Sequence, residues 1–237
     1  GSGIMGAGLA EVAARAGHDV VVRSRTLEGA EAVLNRLRKG FDRQVDKERM
    51  TVDERDAVLG RIQVTDHLGQ LADCDLVIEM AMATQRPDQV CGIHFFNPAP
   101  VMQLVEIVKP VTASDETIAA AVAFANVCGK DPVVVEDRAG FVVNALLFPY
   151  LNNAVRMMEY GTACMESIDT AMKGGCGFPM GPFALLDLVG LDTTLAILDA
   201  LYEEFRDPNY APVPTLRRKV AAGQLGRKTG KGFYEYA

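Results

Sequence analysis

No stretch of the 237 residues approaches the roughly 18 to 20 uninterrupted apolar positions that a membrane-spanning helix needs, and no basic segment followed by an apolar one stands at the start, as a secretory signal would. A membrane partner is not expected. Positive charge is also scarce, with 24 Lys and Arg against 31 Asp and Glu and a formal net charge of −7. That balance argues against nucleic acid as the main partner, and any anionic ligand must find its own local cations. Cysteine occurs five times, at positions 74, 91, 128, 164 and 176, without CxxC or Cys/His ligand spacing. Neither a disulfide framework nor a zinc site is expected, and the five thiols read as reduced packing residues of a cytoplasmic protein. Internal repeats and low-complexity tracts are missing too. The 49% of apolar residues is ample for the core of one large domain or two smaller ones.

Gly1-Ser2-Gly3-Ile4-Met5-Gly6 runs into a helix-forming segment that Gly17 stops, and Val20–Val22 follows as a short β-branched strand. Such a turn needs a strand before it, so a strand is expected ahead of Gly1. Leu27–Val45 and Thr51–Leu59 read as helices, and Ile62–Val64 and Asp75–Glu79 as strands. Alternating strands and helices mean βαβ units and a parallel sheet. The next strand, Val90–His94, follows too soon, because a parallel crossover takes a dozen or more residues. Residues are therefore expected to be absent between Glu79 and Met80. Val101–Val108 and Pro132–Val135 read as further strands, with a helix over Ser114–Val127.

From Phe141 onward strands disappear, and Val142–Tyr160, Cys164–Lys173 and Pro182–Phe205 read as helices before a Pro-rich stretch near 208–214. The expected fold is an α/β Rossmann domain with a doubly wound, mostly parallel sheet over residues 1–139, then an all-α domain over 140–237. Ala145, Leu146, Leu147, Leu185, Leu186, Leu188, Leu191, Leu195 and Leu198 exceed what three or four helices bury among themselves, so a homodimer through this domain is expected.

In Gly1-x-Gly3-x-x-Gly6 the first glycine permits the tight turn, the second lets pyrophosphate approach the backbone, and the third lets helix and strand pack closely. A nicotinamide dinucleotide is the expected cofactor. After the second strand a carboxylate would hold the ribose diol of NAD, but the chain has Arg23-Ser24-Arg25, which suits the 2′-phosphate of NADP(H) unless both arginines are solvated surface residues. NADP(H) is favoured over NAD(H). His94, one of three histidines, ends a strand where it enters the loop-forming run Phe95–Pro100, and Glu106 lies twelve residues on in a β-patterned segment that can fold back beside it. A carboxylate so placed fixes the imidazole tautomer while the ring removes a hydroxyl proton. By spacing alone, a structural histidine beside a surface glutamate fits equally well. His18 and His67 read as turn residues.

The run His94-Phe-Phe-Asn-Pro-Ala-Pro-Val-Met-Gln-Leu-Val-Glu106 resembles the signature of the L-3-hydroxyacyl-CoA dehydrogenase family, which includes 3-hydroxybutyryl-CoA dehydrogenases. Gly3-Ile-Met-Gly-Ala-Gly8, Gly140–Tyr150, Gly177–Asp187 and Gly226–Tyr234 resemble other motifs of that family, in family order, so the likeness covers essentially the whole chain. The resemblance implies oxidation of short-chain (S)-3-hydroxyacyl-CoA to 3-ketoacyl-CoA, or the reverse, with His94 as base and Glu106 as its partner. It further implies Asn144 near the reacting oxygens, Asn97 and Lys228 as cofactor contacts beside Gly1, Gly3, Ile4, Met5, Gly6, Ser24 and Arg25, and Lys47 on the CoA phosphates. By their own sequence, Asn144 also reads as a helix cap and Lys47 as a solvated helix end. Two departures stand out. The family's usual aspartate is replaced at Ser24, and its cofactor loop and Asn-Thr-Ser-Ser segment, whose serine helps bind substrate, are missing between Glu79 and Met80. Two other readings compete: a dehydrogenase of a free hydroxy acid, of the gulonate type, and a non-catalytic, crystallin-like relative.

Overall fold

The computed structural model describes residues 1–78 and 85–236. The chain divides into two compact units, Gly1–Glu136 and Asp137–Ala237. In the first, α1 (Ile4–Arg15) starts directly from Gly3, with no side chain capping its first turn. A Cβ on Gly6 would collide with the carbonyl of Gly1, so only glycine lets the helix begin so close to the turn. Gly17, at φ +94°, ends the segment and redirects it into β1 (Val20–Arg23). Helix α2 (Leu27–Asp46) buries Ala30, Val33, Leu37 and Phe41, whose three- and four-residue spacing forms one stripe. Helix α3 (Val52–Gly60) opens with a capping box between Thr51 and Glu54. Strand β2 (Ile62–Thr65) then pairs in parallel with β1, from Val20 opposite Ile62 to Arg23 opposite Thr65.

A second sheet follows in the same unit. Strands β3 (Gly92–Phe95) and β4 (Leu104–Lys109) are antiparallel, and β5 (Asp131–Glu136) runs parallel to β4 after helix α4 (Asp115–Val127). Val12 of α1 packs with Phe95, Ala99, Val105, Ile107, Ile118 and Ala125 beneath this sheet.

The strands of the described residues form a parallel pair and a three-stranded sheet in which only β3 and β4 are antiparallel, within the expected Rossmann-type unit. Two expectations for this unit need correction. Residues 75–78 of the expected strand Asp75–Glu79 form no ladder, and Leu76, Val77 and Ile78 are exposed; Glu79 and its junction with Met80 lie outside the described residues. The physical reason is that an apolar run becomes a strand only when a neighbour supplies the other half of its hydrogen bonds. Finally, β4 starts at Leu104 instead of Val101, because the N–H groups of Val101 and Met102 both turn back to the carbonyl of Pro98.

The second unit is helical: α5 (Val143–Glu159), α6 (Met165–Cys176), α7 (Pro182–Val189), α8 (Leu191–Phe205) and α9 (Pro214–Ala221). The single helix expected over Pro182–Phe205 breaks at Gly190, which adopts φ +103°, outside the helical region. Helix α9, which no expectation covered, begins where the Pro-rich stretch near 208–214 ends, with Pro214 at its start, where the missing N–H costs nothing. Leu186, Leu191 and Leu198 are fully buried inside the unit, so the apolar surplus is smaller than the composition implied; Leu146 and Leu188 remain exposed.

Two buried carboxylates tie the unit together. Asp169 accepts the N–H groups of Phe183 and Ala184 at 2.8 and 3.1 Å and the Tyr234 hydroxyl at 3.0 Å. Asp187 accepts the N–H groups of Phe233 and Tyr234, both at 2.8 Å, and the Tyr236 hydroxyl at 3.0 Å. A Cβ on Gly232 would strike the Asp187 carboxylate. Replacing Asp187 by Ala strands at least two backbone donors, so denaturant unfolding of the helical unit should show a loss of about 2–4 kcal/mol; a loss below about 0.5 kcal/mol, the range of an ordinary surface change, contradicts this role.

Candidate active site

His94 lies in β3 directly opposite Glu106 in β4, so the antiparallel register puts both side chains on the same face of the sheet. His94 Nδ1 is 2.7 Å from Glu106 Oε2, with the carboxylate side chain 1% exposed and the imidazole 28% exposed. A buried carboxylate holding a partly open imidazole is the arrangement of a base whose ring orientation is fixed from behind. Phe96 packs on the imidazole with ring centroids 4.5 Å apart. Asn97 follows on the exposed loop, joined to Pro98 by a cis peptide bond.

The glycine-rich turn is the second feature of this unit that could hold a ligand. The first-turn N–H groups of α1, at Ile4, Met5 and Gly6, have no acceptor within the helix and no side-chain cap from Gly3. Together with the close approach that Gly6 permits, these donors fit the pyrophosphate of a dinucleotide. The structure also joins this turn to the end of β1: the Ser24 hydroxyl donates to that of Ser2 at 3.1 Å. Gly29 packs beside them, where a Cβ would stand 2.7 Å from Ser24 Oγ. Arg23 donates from Nε to the carbonyl of Asp66 at 3.3 Å, while Arg25 is exposed and forms no ion pair among the described residues. Ser2 went unnoticed in the sequence, where it is merely the variable position between two glycines.

Lys47 stands exposed at the C-terminal cap of α2. Asn144 lies half-buried in the first turn of α5, two residues past the cap position, which is Val142. The helix-cap reading of Asn144 is thereby removed. Lys228 is held by Asp192, both carboxylate oxygens lying 2.5 and 2.6 Å from its ammonium. That contact, chiefly the hydrogen bond itself, keeps the Asp192 carboxyl below its usual range. Asp192 reaches Lys228 because the chain breaks at Gly190; no sequence signal marked the pair.

Residues 1–83 and 79–138 match the family described as 3-hydroxyacyl-CoA dehydrogenase, NAD binding domain, and residues 140–236 match its C-terminal domain. The chain is 43% identical over 279 aligned residues to a 3-hydroxybutyryl-CoA dehydrogenase of Mycobacterium tuberculosis, covering 100% of this chain and 96% of that protein. It is 39% identical over 284 residues to the mitochondrial hydroxyacyl-coenzyme A dehydrogenase of Homo sapiens, covering 100% and 89%. The crystal structure of the (S)-3-hydroxybutyryl-CoA dehydrogenase PaaH1 from Ralstonia eutropha superposes with a TM-score of 0.95 at 37% identity, covering 100% and 97%. With both halves matched and full-length relatives at this identity, the chain belongs to the 3-hydroxyacyl-CoA dehydrogenase family.

Proposed function

We propose that the protein interconverts short-chain (S)-3-hydroxyacyl-CoA, such as 3-hydroxybutyryl-CoA, and the corresponding 3-ketoacyl-CoA. The observation that carries this reading is the His94–Glu106 pair, a 2.7 Å contact between a nearly inaccessible carboxylate and a partly open imidazole at a strand end. Glu106 fixes the tautomer by accepting from Nδ1, which makes Nε2 the nitrogen that takes the hydroxyl proton as hydride leaves the same carbon. In the reverse direction the imidazolium returns that proton to the ketone oxygen. The nicotinamide cofactor, when bound, supplies or receives the hydride. Asn144 donates from its amide to the substrate oxygen, Asn97 and Lys228 contact the cofactor, and Lys47 meets the CoA phosphates. Gly1, Gly3, Ile4, Met5 and Gly6 hold the pyrophosphate.

The relatives at 39% and 43% identity carry acyl-CoA names, which favours this reading over a free-hydroxy-acid dehydrogenase or a crystallin-like protein. The alignment to the M. tuberculosis relative spans 279 positions against 237 residues here, a difference of 42. The NAD-binding match comes in two pieces that meet at residues 79–83. Both support placing the family's cofactor loop and Asn-Thr-Ser-Ser segment between Glu79 and Met80.

For the cofactor, Ser24 with Arg23 and Arg25 selects NADP(H) over NAD(H). The exposed Arg25 has its guanidinium available for a 2′-phosphate, and Arg23 keeps its terminal nitrogens beyond the bond from Nε. The assembled form is a homodimer in the cytoplasm, the dimer being supported by the exposed apolar side chains of the helical unit, Leu146, Met157, Tyr160 and Leu188 among them.

Three outcomes test these statements. His94→Gln should still bind cofactor yet lose about 10² to 10⁴ in turnover of 3-ketoacyl-CoA, the usual contribution of a general base; near-normal turnover, or a preference of the unmodified protein for the free 3-hydroxy acid, refutes the assignment. Replacing Ser24 by Asp and both arginines by uncharged residues should swing kcat/KM towards NADH, at about 5- to 30-fold for each lost charge-assisted contact; a native preference for NADH at low ionic strength would show the arginines to be ordinary surface residues. Sedimentation at micromolar concentration should give a dimer, and a stable monomer there contradicts the proposed assembly.

A further inference from the structure

The loop that carries Asn97 out of the site is held from below by a buried cation. Beyond Pro98 the carbonyls of Ala99 and Met102 belong to no ladder, and Ala99 is 3% exposed, so its oxygen needs a donor from the protein. Lys130 supplies it and reaches Met102 as well. Its ammonium donates to Ala99 at 2.8 Å and to Met102 at 2.9 Å. The residue is 6% exposed and forms no ion pair with a carboxylate among the described residues. Its balancing charge is carbonyl dipoles: the two it holds, and the C-terminal end of α4, where its own N–H bonds to the carbonyl of Ala125 at 3.0 Å.

A buried ammonium without a carboxylate partner is expensive, and packing alone would be served as well by Met or Leu. The charge therefore has a task that an apolar residue cannot perform. On its other side the same loop lies against α1, since a Cβ on Gly8 would stand 3.2 Å from Ala99 Cβ and 3.5 Å from Pro100 Cδ. Asn97 is thus the end of a short loop fixed between the helix whose N-terminus fits pyrophosphate and the ammonium of Lys130. Its near end is the strand that carries His94.

We propose that Lys130 is a positioning residue of the hydride-transfer site: its buried ammonium pins the loop after His94 and thereby fixes Asn97 against the cofactor. This rests on the reading of Asn97 as a cofactor contact. Lys130 does not touch the reacting atoms and acts through Asn97 alone.

The test combines Lys130→Met, Lys130→Gln and Asn97→Ala, singly and as an Asn97→Ala, Lys130→Met pair. Cofactor dissociation constants are read from the fluorescence of NADPH or NADH without substrate, and kcat and both KM values from 3-ketoacyl-CoA reduction. Lys130→Met should weaken cofactor binding and lower kcat by about tenfold each, a loss typical of a displaced contact, while leaving the acyl-CoA KM within about twofold. Lys130→Gln, which keeps a donor for one carbonyl, should show a smaller loss and remains the test should the Met variant fold poorly. The pair should bind cofactor no more weakly than Asn97→Ala alone, because both changes remove the same contact. Additive losses in the pair, or a lowered melting temperature with cofactor binding and kcat unchanged in the Gln variant, would overturn the proposal. Failure of the unmodified protein to reduce 3-ketoacyl-CoA would sink the functional reading instead, while the substrate-free binding series would still decide the role of Lys130.

Discussion

The burial of one carboxylate governs the first unit. Glu106 lies between Val105 and Ile107, both wholly inaccessible, in the central strand of a three-stranded sheet, and is itself only 1% exposed. A charge in such a place must be met by a partner, and the antiparallel register that sets His94 opposite it provides one at 2.7 Å. A slip of one residue between β3 and β4 would put the two side chains on opposite faces, leaving the carboxylate without the imidazole and the imidazole without an orientation. Fold stability and the geometry of the proposed base therefore depend on the same register.

The helical unit applies the same principle for a different end. Asp169 and Asp187 are buried with three donors each, most of them backbone N–H groups, and Tyr234 serves both by offering its N–H to one and its hydroxyl to the other. Burial, and then the Asp169 carboxylate it donates to, pushes the Tyr234 phenol far above its ordinary range. Glycines at 181, 226 and 232 stand where any Cβ would run into these aspartates or their backbone. The result is a C-terminal segment tied to helices α6 and α7, and Lys228 rides on that segment with its ammonium held by Asp192.

Much of this was open to a reader of the sequence. The helix from Leu27 was legible from its periodic apolar stripe, and the one read from Ser114 begins one residue later at Asp115 because the Ser114 side chain caps it, both signals being local in the chain. The glycine fingerprint was legible for the same reason. The break at Gly190 was not, because a glycine within an apolar helical pattern is tolerated as often as it terminates. Nor was the fate of residues 75–78, where strand character depends on neighbours that local pattern does not specify.

By itself the sequence determined the α/β unit followed by an all-α unit, the glycine turn, the candidate base His94 with Glu106 twelve residues on, and through its long motifs the family. These are properties of residue type and short spacing. Only the tertiary structure decided that His94 and Glu106 meet at 2.7 Å, that Ser24 reaches Ser2, that Asp192 holds Lys228, and that Lys130 is buried beneath the loop carrying Asn97. Such contacts arise where strands and helices far apart in the chain pack together, and the energy of a buried charge or an unpaired carbonyl is defined only once the surrounding protein has excluded water.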